Sequence, residues 1–97
     1  MPIKTTGCDA AKYIDEPEAQ AELIADAIES GDAAYITHAL GVVARARGMT
    51  SIAKDAGVSR EALYKALSEE GDPRLSTLLG VLKALGVQLT AKHIAAE

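Results

Sequence analysis

Apolar residues return at steps of three and four along most of this 97-residue chain, and a glycine stands where each of four runs stops. That period is the signature of helices buried on one side. Ala19, Leu23, Ala27 and Ile28 run to Gly31, and Tyr35, Ile36, Ala39, Leu40, Val43 and Ala44 run to Gly48. Ile52, Ala53 and Ala56 end at Gly57, after which Ala62, Leu63, Ala66 and Leu67 form a further stripe. The strongest stripe, Leu75, Leu78, Leu79, Leu82 and Leu85, ends at Gly86. Cap residues stand where these helices should begin. Asp15, with Glu18 three residues on and Pro17 between, reads as a capping box, and Asp32, Thr50 or Ser51, Ser59, and Asp72 followed by Pro73 supply further starts. The run over 35–44 predicts the central pillar, and that over 75–85 the helix that closes the core.

The ends of the chain lack this period. Residues 1–8 predict an extended arm, and Asp9 caps one short helix over 9–14. Residues 87–91 alternate apolar Val87, Leu89 and Ala91 with polar Gln88 and Thr90, as a short strand would. A lone strand has no partner inside a helical domain, so the pattern predicts pairing with another chain. The last residues fit an extension of that strand or a helical turn. No repeat or low-complexity tract interrupts the pattern, and 97 residues suffice for one core. The expected fold is therefore all-α, a single domain of five to six helices with a possible short C-terminal strand. Its parts are an arm (1–8), N-terminal helices (9–48), a helix pair (50–67), a closing helix (73–86) and a tail (87–97).

The pair over 50–67 is the most specific feature. Two helices that cross steeply after a tight turn need a small residue at the crossing, a glycine at the turn and an apolar anchor on the second helix; Ala53, Gly57 and Leu63 meet these needs. Val58 plugs the corner and Ser59 caps the second helix, which leaves Arg60, Glu61, Tyr64 and Lys65 on its outer face. This resembles a helix-turn-helix, whose second helix enters the major groove while the first lies across the backbone. One position departs from the common pattern. Met49 stands where a phosphate-contacting Gln is frequent, which predicts a first helix that starts late. A plain helical hairpin is the competing interpretation.

Charge alters the picture. The net of −4 opposes a nucleic-acid partner, but its distribution does not. Residues 1–40 hold two lysines against eight acids, a net of −6, whereas residues 41–67 hold five cations against two acids, a net of +3. Such a division predicts two surfaces with different partners, the positive one coinciding with the helix pair. Arg45 and Arg47, in the last turn of the pillar helix, offset the helix dipole and are candidate phosphate contacts, as is Arg74. Three tyrosines, with no Trp or Phe, leave few stacking platforms for single-stranded bases.

Candidate chemistry is sparse. His38 and His93 lack companions at metal-ligand spacing, Cys8 has no partner for a disulfide and no nearby base, and no glycine-rich phosphate loop occurs. The acids of the first half are spaced as caps and solvent faces. These observations predict a protein without catalytic residues, cofactor or metal. With neither a signal peptide nor an apolar span, it is expected in the cytoplasm.

The segments RARGM, GVSREALYKALS and VLKALG within 39–86, together with DAAKYIDEPEA and the pair Gly31–Asp32, resemble the addiction-module antidote proteins, helix-turn-helix antitoxins related to the HigA type. The resemblance covers nearly the whole chain and is weaker after Leu89. It implies a fold similar to the phage (lambda) repressors, a small basic toxin of the RelE/ParE kind as partner, and repression of a shared operon. With the residue pattern it assigns Arg60, Glu61 and Lys65 to base edges, Ser59 and Tyr64 to the vicinity of the DNA backbone, and Thr50 or Ser51 to a helix N-terminus that meets a phosphate. A homodimer on a palindromic operator is expected, because one recognition helix spans only a few base pairs. Glu18, Glu22 and Asp26 are candidates for the toxin-binding surface on charge alone. A stand-alone phage-type repressor without a toxin, and an interaction module that does not bind DNA, are the alternatives.

Overall fold

A computed structural model describes residues 16–95, which form five helices: α1 (Pro17–Ser30), α2 (Ala33–Arg47), α3 (Met49–Ala56), α4 (Arg60–Ala66) and α5 (Leu75–Leu85). The all-helical expectation holds. The predicted arm and the predicted short helix over 9–14 lie outside the described residues.

α2 is the pillar that the pattern called for. The Asp32 carboxylate accepts the Ala34 N–H at 3.0 Å at its start, and Ala39, Leu40, Val43 and Ala44 are buried along its length. α1 packs on α2, α3 joins α2 to α5, and α4 packs on α3. Ile24, Leu40, Val43, Ile52, Leu63, Val81, Leu82 and Leu85 come together in one core. Two close approaches hold the helices in place. A Cβ on Gly80 of α5 would lie 3.1 Å from the Ala56 carbonyl oxygen at the end of α3, and one on Gly41 of α2 would lie 3.2 Å from the Leu67 carbonyl oxygen. Both contacts are tighter than side-chain-bearing positions ordinarily allow, so larger residues there would push the helices apart.

Several helix starts differ from expectation. α3 begins at Met49 rather than at Thr50 or Ser51. Gly48, at φ 112°, a value strained for any residue with a side chain, ends α2 and starts α3, so neither hydroxyl caps a helix. Met49 does not delay the helix; it is buried in the core, and that burial sets the earlier start. α1 starts after Glu16, whose side chain makes no cap hydrogen bond, and Pro17, pre-set in φ, supplies the first helical position; the capping box expected at Asp15 lies outside the described residues. α5 starts after Arg74, not after Asp72, again without a side-chain cap.

The stripe of α5 is only partly interior. Val81, Leu82 and Leu85 are buried, but Leu75 is 65% and Leu79 45% exposed. Leu78 in the first turn packs against the core, while Leu75 and Leu79 lie on the side of α5 turned from it. Residues 87–95 carry neither helix nor strand. The predicted strand is absent here because an isolated extended segment gains no ladder hydrogen bonds within one chain.

Candidate nucleic-acid and partner interfaces

α4 is seven residues long, too short to be stable by its own hydrogen bonds. Its neighbours hold it. Gly57, in the left-handed conformation at φ 78°, turns the chain out of α3, its N–H donating to the Lys54 carbonyl at 3.2 Å and that of Val58 to the Ala53 carbonyl at 3.0 Å. This pairing satisfies the last carbonyls of α3 at a turn that a β-carbon would strain. Val58 is half-buried against the core. The Ser59 hydroxyl then accepts the Ala62 N–H at 3.0 Å and opens α4. Leu63, with no exposed surface, and Leu67, at 4%, anchor the far side. Ala62, expected in the buried stripe, is exposed, so the inward face narrows to these two leucines and half-buried Ala66.

With that face fixed, Arg60, Glu61, Tyr64 and Lys65 all lie outward and exposed, as the spacing required. The Arg60 guanidinium sits over the Tyr64 ring, 5.4 Å from its centroid. One helical turn separates the two residues, and the ring's negative face holds the cation at the start of the helix. Lys65 is five residues from Arg60, about 140° further round the helix. Thr50 and Ser51 are exposed in the first turn of α3, where they leave backbone N–H groups at the helix start.

The three candidate phosphate arginines are all exposed, Arg74 at the start of α5. Arg47 alone among them also bonds to other helices. Its Nη1 donates to Gln20 Oε1 at 2.7 Å and its Nη2 to the Leu85 carbonyl at 3.3 Å, so one guanidinium ties α1 and the end of α5 to α2. Gln20 is only 2% exposed. Neither bond was legible in the chain, since the partners lie 27 and 38 residues apart.

Glu18, Glu22 and Asp26 lie exposed on α1. With Ala25 and Glu29 they form a stripe at helical spacing on the side away from buried Ile24 and Ala27. The Tyr35 hydroxyl donates to Asp26 Oδ2 at 2.6 Å. That hydrogen bond, then partial desolvation and the negative charge of Asp26, raise the Tyr35 phenol above its ordinary pKa. His38 and His93 are exposed. Among the described residues no group of three or more His, Cys, Asp or Glu could hold a metal ion, and no helix is long and apolar enough to cross a membrane.

A family model described as "Probable addiction module antidote protein" matches residues 4–93 and so takes in every helix above. The chain belongs to that family. An uncharacterized protein of Haemophilus influenzae is 42% identical to this antidote-family chain over 85 residues, 88% of either chain. No solved structure gives a significant match. Membership in an antidote family implies a toxin as counterpart.

Proposed function

We propose that this chain is the antitoxin of a type II toxin–antitoxin module, binding its toxin and repressing its own operon by sequence-specific contact with double-stranded DNA. The observation that carries the DNA half is the outward face of α4. Leu63 and Leu67 leave one possible orientation for this short helix, and in it Arg60, Glu61, Tyr64 and Lys65 project together from a region of net positive charge. α3 and α4 act as a helix-turn-helix: α4 lies in the major groove, with Arg60 donating its two parallel N–H groups to O6 and N7 of a guanine. Glu61 and Lys65 meet neighbouring base edges, Ser59 and Tyr64 lie beside the backbone, and the start of α3 at Thr50 and Ser51 faces a phosphate with its free N–H groups. Arg45 and Arg74 neutralise further phosphates. Arg47, held by Gln20 and Leu85, serves the fold instead.

The protein acts as a homodimer on a palindromic operator, with exposed Leu75 and Leu79 of α5 as apolar surface for the pairing. The toxin is a small basic protein of the RelE/ParE kind, met by Glu18, Glu22 and Asp26, and the module works in the cytoplasm. The role is one of binding, without catalysis.

Two measurements test this. In a gel shift, the purified chain should retard the DNA upstream of its own gene and not a scrambled duplex. On co-expression, the product of the adjacent reading frame should co-purify with it. Retardation without co-purification would make the protein a stand-alone repressor; co-purification without retardation would reduce the helix pair to a scaffold.

A further inference from the structure

An open groove of about 440 Å³ runs between α1 and the tail, lined by Ile24, Ala25, Ile28, Glu29 and six residues of 87–94. Its floor is apolar: Ile24 is fully buried, and half-buried Ile28 and Val87 pack against the core. Its outer wall is the tail, whose Leu89 and Ile94 are 40% and 81% exposed. The last backbone hydrogen bond of the chain among the described residues is that of Val87 N–H to the Leu82 carbonyl at 2.9 Å, so residues 88–95 present N–H and C=O groups with no backbone partner among the described residues. Among the described residues one ion pair ties the tail to the helix, Lys92 Nζ to Glu29 Oε2 at 3.9 Å, with both side chains largely in solvent. An ion pair this exposed is a weak latch.

Charge selects the occupant. Ala25 and Glu29 on the groove wall belong to the same stripe of α1 as Glu18 and Glu22, so the groove opens beside a row of carboxylates whose paired cation among the described residues is Lys92. A polyanion is repelled there, and two copies of this chain meeting groove to groove would set the same carboxylates against each other. A basic segment satisfies both walls. We infer that the groove takes an extended, lysine- or arginine-bearing segment of the toxin, paired along the tail backbone as an added strand. Its apolar side chains lie over Ile28 and Leu89, and its cations lie on Glu22 and Glu29 in competition with Lys92. This rests on the antitoxin role proposed above and names the surface that performs it. The period-two alternation of 87–91 fits it, since a strand formed only with a partner orders when the partner arrives.

The test uses the full chain co-expressed with the product of the adjacent reading frame. Amide hydrogen exchange compares free chain and complex, and affinity is measured for three tail variants, Leu89→Asp, Thr90→Pro and Ala91→Pro. Successive N–H groups of an extended segment point to opposite sides, so one of the two prolines removes a pairing donor whichever side the partner takes. These positions lie outside every helix, so circular dichroism should stay at the wild-type value. The expected result is protection of amides within 88–94 in the complex only, at least tenfold weaker binding for Leu89→Asp, and a similar loss for one proline variant. Tight wild-type binding with no protection in 88–94, or with all three variants unchanged, overturns the groove while leaving the antitoxin role intact. The same protection in the free chain at equal concentration makes the occupant a second copy and overturns it too. Failure of the wild-type chain to bind the neighbouring product removes the antitoxin role and the groove proposal with it.

Discussion

The seven residues of α4 hold their outward face by buried Leu63 and Leu67 and the capping Ser59, and its Arg60 and Tyr64 touch each other, whereas the fourteen residues of α1, anchored by buried Ile24 and Ala27, present an acidic stripe of solvated side chains. On α4 the direction of each side chain follows from packing: with Leu63 inside, Arg60 and Tyr64 have to project together, and the ring holds the guanidinium in place before any ligand arrives. On α1 the carboxylates are solvated, and the stripe's partners come from elsewhere in the fold, Tyr35 of α2 on Asp26 and Lys92 of the tail on Glu29. A surface of the first kind suits recognition by fixed geometry, because little side-chain freedom is left to lose on binding. A surface of the second kind suits attraction by charge, which tolerates variation in the partner's shape and acts mainly on the rate of encounter.

The largest expected effect removes the anchor beneath the first of these surfaces. Leu63→Ala should cost about 2–5 kcal/mol in urea unfolding, because a fully buried side chain leaves a cavity. Leu75→Ala, at 65% exposure within one chain, should stay within about 0.5 kcal/mol at concentrations too low for pairing. Similar losses at both sites would mean that α4 is no better anchored than the exposed side of α5.

Next is the divide between reading and holding on α4. Arg60→Ala should lose about 1–3 kcal/mol on the operator and much less on a scrambled duplex, whereas Lys65→Ala, if it touches a phosphate, should weaken both alike and lower the salt slope by about one. Salt titrations on the two duplexes separate these cases, and equal losses for Arg60→Ala would make it a backbone contact. Tyr64→Ala should narrow the same specificity ratio by a smaller factor, about 0.5–1 kcal/mol, through loss of the ring beneath Arg60.

On α1, reversal of Glu18, Glu22 and Asp26 to Lys should slow association with the toxin at low salt and flatten its salt dependence, with a much smaller change in dissociation rate. Stopped-flow kinetics measure both, and an unchanged association rate takes the acidic stripe out of the encounter.

The smallest effect concerns Tyr35. Its phenol should titrate above the ordinary value near 10, and Asp26→Asn should bring it back toward that value, as followed by phenolate absorbance. The folded chain keeps this proton to higher pH than the unfolded one. The stabilisation is therefore fully present below the unfolded pKa and disappears as pH rises through the raised folded value.

Local pattern determined most of the fold: five helices at the predicted places, turns at Gly31, Gly57 and Gly86, caps at Asp32 and Ser59, and an outward face on α4 that includes Arg60 and Lys65. These features depend on residues within a turn or two of one another, where period, capping and left-handed glycine act directly. The exact helix starts were decided from further away. Burial of Met49 drew α3 back onto Gly48, and the close contact of Gly80 with Ala56 set which leucines of α5 face inward and left Leu75 and Leu79 outside. Arg47, read from the chain only as a charge at a helix end, also links three helices, and the tail that alternated like a strand lies along α1 with its backbone unpaired among the described residues. Each of these depends on partners that the chain brings together only once folded, as Arg47 and Leu85 are 38 residues apart, and no local period encodes such a meeting.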